Sequence, residues 1–348
     1  MFSLSILELD KQMQAKCKND VTLQINLSPG DIDYALLTVP ILVAANRSEV
    51  REVLAVVDCC RPQRTRIVNP DKRFPVSSHS KKVDLIKEIA FELQRAGHVD
   101  RIALLKPGDK IINDLSCKYL AGTTKNTHDY GGCGLMSYLA GIELAKSHFV
   151  LHYDADMLLF QEADYSWIQE AKWRMGSHRN IIAASPRIAP PFTASGGSSD
   201  APSVHEGRPL EPIDGGWLND WFSTRCFLLD RNKLRAYLPI VRNSLWIEVL
   251  LRKLIHRGYP LSPEIMLFKG PGKMGARRLN LSSPKAWLLH PTTKPATYIE
   301  LLPEILNAIS LGIHPKDQKG KSEIILDAWK KMLQPDSLLK GHSFGGFA

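Results

Sequence analysis

Apolar residues along this chain recur with a strand-like period in some stretches and a helix-like period in others, and their alternation predicts a mixed α/β protein. The central stretch is residues 147–160, Ser-His-Phe-Val-Leu-His-Tyr-Asp-Ala-Asp-Met-Leu-Leu-Phe. Phe149, Val150 and Leu151 form a short apolar run free of Gly and Pro, as a buried strand requires. Upstream, residues 34–39 predict a strand stopped by Pro40. Ser48 predicts the cap of a helix with Glu49 and Glu52 in its first turn and Val50, Val53, Leu54 and Val57 as its apolar stripe. A short strand follows at 66–68, with Asn69, Pro70 and Asp71 in a loop. Residues 82–96 predict an amphipathic helix ended by Gly97, 101–105 a strand ended by Pro107-Gly108, and 110–120 a short helix. The Gly-rich stretch at 129–134 runs into a helix over 135–146, which feeds the central strand. Strands alternating with helices argue for a mostly parallel central sheet flanked by helices, Rossmann-like.

The second half is less regular. Residues 185–216 are rich in Pro, Gly and Ser and predict a long loop, in preference to a flexible insert, since long loops inside domains often carry function. A strand is expected at 222–229 with a turn at 230–232, and a helix at 246–256 closed by Gly258-Tyr259-Pro260. A short apolar run at 286–290 ends in His290, and helices at 298–311 and 322–333 precede a tail at 341–348 expected to be mobile. The implied division is an N-terminal extension (1–32), a principal domain (33–300) and C-terminal helices with a tail (301–348).

Composition narrows the class. The chain has 348 residues, 44% hydrophobic and 23% charged, which suits one large α/β domain with additions, or two small domains. No apolar run approaches the ~20 residues of a membrane span, and the first residues lack the features of a secretory signal. Six cysteines without a Cys-x-x-Cys pair argue against zinc or a disulfide framework and for reduced thiols in a cytoplasm. The net charge of +9 fits a solvated basic surface or attraction to phosphates of nucleotide-sugars, anionic lipids or nucleic acid. Basic residues are scattered and no aromatic-interleaved basic motif occurs, which disfavours nucleic acid. Peripheral association with a membrane is compatible with the charge.

The chemistry centres on Asp154-Ala155-Asp156, two carboxylates where a buried strand should end. In open α/β sheets ligands bind outside the carboxyl ends of the strands, and a hard divalent cation takes oxygen ligands and often a phosphate with them. Asp-x-Asp alone is more often a turn or a cap, but a buried strand and a helix before it favour a metal site. The glycines at 131–134 are either loop punctuation or a close backbone approach to a ligand. Trp217, beside Gly215-Gly216, is either a stacking platform for a sugar or a core tryptophan at a turn.

The strand-loop-helix start, the Gly-rich turn, the helix and the hydrophobic-Tyr-Asp-Ala-Asp sequence resemble the nucleotide-sugar glycosyltransferases of the GT-A fold, in a family-two-like version, over roughly residues 34–295. The resemblance implies transfer of a sugar from a UDP- or GDP-sugar to a hydroxyl of a saccharide, lipid-linked or small-molecule acceptor, with Mn2+ or Mg2+ as cofactor. Asp154 would face the donor's ribose or sugar and Asp156 would bind the metal. Pro40, Asp71, Gly132 and Trp217 would complete the donor site. Some GT-A families carry a late His that joins the metal site and a Lys-Pro that meets the diphosphate. His290 and Lys294 resemble these, with spacing one residue shorter and without the usual glycine. Inverting members carry an acidic pair at the start of a helix a few turns before Gly-Tyr. The stretch 246–259 resembles it with one acid only, which makes Glu248 the first candidate base and Asp220 the second. A helix-dipole carboxylate is the competing account of Glu248. Hints of inversion and retention coexist, with inversion preferred. A nucleotidyltransferase, or a catalytically silent nucleotide-binding protein of the same fold, is the alternative.

Overall fold

Val21, Leu23, Ile25 and Leu27 alternate with Thr22, Gln24 and Asn26, and this period-two run is the first strand, β1 (Val21–Leu27). A computed structural model describes residues 20–192 and 210–334. β1 lies inside a nine-stranded sheet, between β2 (Glu52–Asp58) and β4 (Phe149–Asp154), parallel to both, and β3 (Arg101–Leu105) lies outside β2. Beyond β4 come β9 (Cys226–Asp230), β6 (Ile181–Ser185), β10 (Arg277–Leu281), β8 (Gly216–Asn219) and β7 (Glu211–Ile213). Only β9 and β8 run against the others, so the expected mostly parallel sheet is present. A separate antiparallel ribbon joins β5 (Leu158–Gln161) to β11 (Ala286–Leu289).

Helices cover both faces. In chain order they are α1 (Ala35–Asn46), α2 (Pro70–Arg73), α3 (Val76–Arg95), α4 (Lys110–Leu120), α5 (Met136–Leu144), α6 (Trp167–Ser177), α7 (Arg231–Arg235), α8 (Asn243–Leu254), α9 (Pro263–Lys273), α10 (Ala296–Ser310) and α11 (Leu326–Leu333). Alternate residues of β2 serve different layers. Val53, Ala55 and Val57 join one core with Leu42 of α1, Ile86 of α3 and Leu302 of α10, while Leu54 and Val56 join another with Leu115 of α4, Leu139 of α5 and Phe268 of α9. Each such Val, Leu, Ile or Phe side chain withdrawn from water stabilises the fold by about 1.5–3 kcal/mol. The polar face of β1 is also covered. Gln24 donates to Asn26 Oδ1 at 2.9 Å and to the Ser137 carbonyl at 3.3 Å, and Gly141 makes the room, since a Cβ there would lie 1.9 Å from the Gln24 side chain.

Several sequence-level assignments are corrected. Residues 34–39 are not a strand: they enter α1, which runs through Pro40. The helix expected from Ser48 is a single 3-10 turn followed by β2, whose seven residues are all buried. Residues 66–68 form no strand, and Asp71 lies in α2, capped by Asn69. The 230–232 turn is the start of α7, with Asp230 as its cap. The supposed N-terminal extension 1–32 contains β1, although its residues 1–19 lie outside the described residues. The boundary at 300/301 cuts through α10, whose Leu302, Ile305 and Ile309 share a core with Trp329 of α11 and with the sheet. Of the expected loop 185–216, residues 193–209 lie outside the described residues and 211–213 form β7, while the tail 341–348 also lies outside. No helix among the described residues is long and apolar enough to cross a membrane.

Candidate active site

The winding of the sheet makes a crevice. The chain steps from β1 outward to β2 and β3, then returns to the other side of β1 as β4. At such a reversal, loops leaving neighbouring strands diverge and expose the carboxyl ends of the strands. A cleft of about 450 Å3 opens here, lined from Asn26 to Tyr34 after β1, by Asp58 after β2, by Gly132 and Cys133, by Asp154–Asp156 after β4, and by Lys294.

Asp156 is the most constrained group in it. Its Oδ2 faces Lys294 Nζ at 2.6 Å and His290 Nε2 at 3.4 Å, while its buried Oδ1 has no hydrogen-bond partner among the described residues. Burial pushes the carboxyl up, but the His290 hydrogen bond, the imidazole charge and the Lys294 ammonium outweigh it, and the net shift is downward. The ribbon explains why His290 arrives there. Leu158 pairs with Leu289, so the residues just before β5 and just after β11 come side by side. Behind His290, Glu323 Oε2 lies 3.2 Å from Nδ1. Burial works against protonation of His290, and its hydrogen bonds to Asp156 and Glu323 prevail and raise its pKa. Burial likewise opposes ionisation of Glu323, but His290, Thr292 and Arg225 bring it down to about 2.

Asp154 accepts from Tyr138 Oη at 2.8 Å, and His152 Nε2 lies 3.1 Å from the same oxygen. The turn between the two acids is tied to α1 by Thr38, which donates to the Ala155 carbonyl at 2.5 Å. The loop after β1 is closed by Asp31, which accepts from the Ser28 amide at 2.6 Å and from the Tyr34 hydroxyl. Burial raises Asp31 to about 6. Across the cleft, Asp58 accepts from the Cys60 amide at 2.8 Å and faces His128 Nε2 at 3.5 Å. Burial raises Asp58 to about 7 and lowers His128 to about 4, so the imidazole is neutral at neutral pH.

Four expected site residues line one cleft: Gly132, Asp154, Asp156 and Lys294. His290 stands behind them against Asp156. Gly132 has φ +88°, the left-handed region that favours glycine. The other five lie elsewhere. Pro40 is inside α1, and Asp71 is an exposed partner of Arg61 and Arg64. Trp217 is 1% exposed with the Arg187 guanidinium 5.2 Å above its ring, a core tryptophan and no sugar platform. Asp220 is an exposed residue just beyond β8. Both Glu248 oxygens are engaged, by Arg252 Nε at 3.1 Å and Lys269 Nζ at 2.6 Å. Burial raises Glu248, but these cations prevail and lower it, which makes it a poor proton acceptor.

A further acid, Glu264 in the first turn of α9, is linked to the cleft through Thr224 and Tyr138, and the sequence reading missed it. It accepts from Thr224 Oγ1 at 2.8 Å, and Thr224 in turn bonds Tyr138, which holds Asp154. Its charge also acts on Asp129 and Cys133 at the cleft wall. Like the stretch 246–259, α9 opens with a single acid and is followed by a glycine, Gly275, but Ala276 stands where the sought acidic-pair and Gly-Tyr pattern has tyrosine. The loop 28–31 was missed as well, although Ser-Pro-Gly-Asp after an alternating run is a turn signal.

The donor set suits a divalent cation bound partly by its substrate. Among the described residues no three His, Cys, Asp or Glu side chains converge to hold a metal. Asp156 and His290 do converge, with one Asp156 oxygen unsatisfied, and a hard cation that also binds phosphates needs only one or two carboxylates from protein.

No family model matches the chain, and no curated protein matches it in sequence. Among solved structures it is similar to the galactosyltransferase LgtC in complex with donor and acceptor sugar analogs, at 11% identity, TM-score 0.33, covering 74% of this chain and 72% of that one. TarS of S. aureus in complex with UDP-GlcNAc gives 11% identity and TM-score 0.37, over 83% of this chain and 64% of that one. The mannosyltransferase Ktr4p of S. cerevisiae in complex with GDP gives 12% identity and TM-score 0.34, over 75% and 69%. At such scores the chemistry has to be carried by the chain's own residues.

Proposed function

We propose that this protein is a glycosyltransferase that moves a sugar from a nucleoside-diphosphate sugar to an acceptor hydroxyl. The observation that carries the proposal is Asp156: a buried carboxylate at the switch point of the sheet, with one oxygen unsatisfied and the other against Lys294 and His290. Asp156 and His290 would hold a Mn2+ or Mg2+ ion, which when bound supplies positive charge against a diphosphate. Lys294 adds a second positive charge at the same place and stabilises the leaving diphosphate as it takes the electron pair of the broken anomeric C–O bond. Asp58 and the loop from Ser28 to Asp31 also line the cleft and suit the nucleoside. Glu264 is the base we favour. It takes the acceptor's hydroxyl proton as the new C–O bond forms at the anomeric carbon on the face opposite the diphosphate, which gives inversion.

Calorimetry of UDP and GDP, with and without Mn2+, on the wild type and on Asp156→Ala tests the donor site. Metal-dependent binding of one nucleotide, weakened by the substitution at least about 100-fold, is expected for loss of a group in contact with the metal. Equal binding by both proteins would remove Asp156 from the site, and no binding of either nucleotide would overturn the proposal.

A further inference from the structure

A second concavity, about 1300 Å3, adjoins the donor cleft and is built from three separated stretches, residues 64–67, 122–130 and 252–265. Among the described residues its lining includes six Arg and Lys side chains and no Asp or Glu. Arg64 is paired with Asp71 and Arg252 with Glu248. Arg66, Lys125 and Arg257 are exposed and make no ion pair among the described residues. The walls are fixed to one another. Thr65 Oγ1 donates to the Tyr130 carbonyl at 2.8 Å, the Tyr130 amide to the Pro260 carbonyl at 2.8 Å, and the Tyr259 hydroxyl to the Thr123 carbonyl at 2.8 Å. The backbone segments that carry the cations are therefore braced against one another.

The groove and the donor cleft are lined by residues of one loop. Tyr130 lines the groove, while His128, Gly132 and Cys133 of the same loop line the cleft. Leu261 and Ile265 line the groove on either side of Glu264, which connects through Thr224 and Tyr138 to Asp154. A chain lying in the groove would present its end at that carboxylate. We infer that the groove binds a polyanionic glycan, a saccharide chain carrying phosphate or carboxylate groups, and that this is the acceptor. The inference rests on the transferase proposal above. Acid-free basic walls select repeated negative charge, and the concavity suits a chain better than a planar lipid surface. Nucleic acid is disfavoured because the aromatic surface is limited: the Tyr259 ring lies under Lys253 Nζ at 5.9 Å, and Tyr130 and His256 are the other rings of the lining.

The test uses the full chain and the triple variant Arg66→Glu, Lys125→Glu, Arg257→Glu, three exposed positions outside the donor cleft. Binding is measured to dextran phosphate, polygalacturonate, neutral dextran and a single-stranded oligonucleotide of matched charge. UDP and GDP with Mn2+ are measured on the same samples. The wild type is expected to bind one or both anionic glycans at least about tenfold more tightly than neutral dextran, with affinity falling as salt rises from about 0.05 to about 0.5 M. The triple variant is expected to lose that binding while keeping the wild type's nucleotide response. The two glycans separate phosphate from carboxylate recognition. Tighter binding of the oligonucleotide, no preference over neutral dextran, or an unaffected triple variant would each overturn the inference. Nucleotide binding without anionic-glycan binding sinks the groove alone. Glycan binding in the groove without any nucleotide binding sinks the transferase proposal and leaves a glycan-binding surface.

Discussion

The donor cleft and the basic groove share a loop but handle charge in opposite ways. In the cleft the charge of Asp156 is already answered by Lys294 and His290, and that of His290 again by Glu323. In the groove Arg66, Lys125 and Arg257 face solvent, and no acid lines the walls among the described residues. Burial explains the contrast. An enclosed charge costs several kcal/mol unless paired, whereas an exposed cation keeps its hydration and needs no partner. The cleft therefore recognises through fixed geometry and resists salt, while the groove recognises through net charge and yields to it. Glu264 follows groove-lining Leu261, precedes groove-lining Ile265 and bonds through Thr224 and Tyr138 to Asp154, so the sharpest way to separate binding from chemistry is to change it.

Glu264→Gln should give the largest effect. The amide keeps the shape and can still meet Thr224 Oγ1, but it cannot take a proton at working pH. Loss of a general base costs roughly 10²–10⁴-fold in turnover. Nucleotide affinity and anionic-glycan affinity should both stay within about threefold of wild type, since neither depends on proton transfer. Turnover of donor with acceptor measures the first, and calorimetry the second. Unchanged turnover would move the base elsewhere. Equal loss of nucleotide binding would mean that Glu264 holds the cleft together instead.

A second prediction asks how the cleft tolerates buried acids. Asp58, raised to about 7 from an ordinary 3.8, binds its proton more tightly when folded. Its contribution is therefore full below the ordinary value and is lost as pH rises from about 4 through about 7. His128, lowered to about 4 from 6.5, does the reverse: it stabilises above 6.5 and loses that contribution as pH falls toward 4. The two slopes oppose each other across one window, so the contributions of these two groups largely cancel there. Asp58→Asn removes one of them. Relative to the wild type, its stability should rise with pH between about 4 and 6.5, with a slope difference no steeper than ~1.4 kcal/mol per unit for one group. Urea unfolding of both proteins at several pH values reads the difference. Parallel profiles would show that Asp58 ionises normally.

The same charge logic marks what the sequence could disclose. The β4 strand, the Asp pair at its end and the helices near 82–96 and 110–120 were legible, because apolar period and Gly or Pro stops agree there. His290 and Lys294 were legible as a late basic pair after a short strand. The start of the fold was not. β2 is buried along its whole length, so its apolar positions fit a helical stripe as readily as a strand. α1 is apolar over most of its length and contains Pro40, which reads as a stop. β1 alternates apolar with polar residues, and only Gly141, more than a hundred positions away, makes room to bury Gln24. That mistake shifted the expected donor loop from Ser28–Asp31 to Pro40. Trp217 and Glu248 were ambiguous by type, and long-range neighbours decided them: Arg187 over the indole, and Lys269 and Arg252 on the carboxylate.

Glu248 gives the smallest and most discriminating prediction. Its side chain is about a quarter exposed and bridges Lys269 and Arg252, and Arg252 lines the groove. Glu248→Gln removes two partly exposed ion pairs, each worth about 0–1 kcal/mol, so the unfolding midpoint should move little. Turnover on a small neutral acceptor should match wild type, in contrast to Glu264→Gln. Anionic-glycan affinity should instead rise slightly, by up to about fivefold, because Arg252 is released from its carboxylate and adds to the field of the groove. Salt titration separates the outcomes, since a gain made by charge vanishes at high ionic strength. A collapse of turnover in Glu248→Gln would return the base to α8 and detach Glu264 from the chemistry. A fall in glycan affinity would mean that the Glu248 bridge orients Arg252, so that the arginine's position, and not the sum of charge, governs what the groove holds.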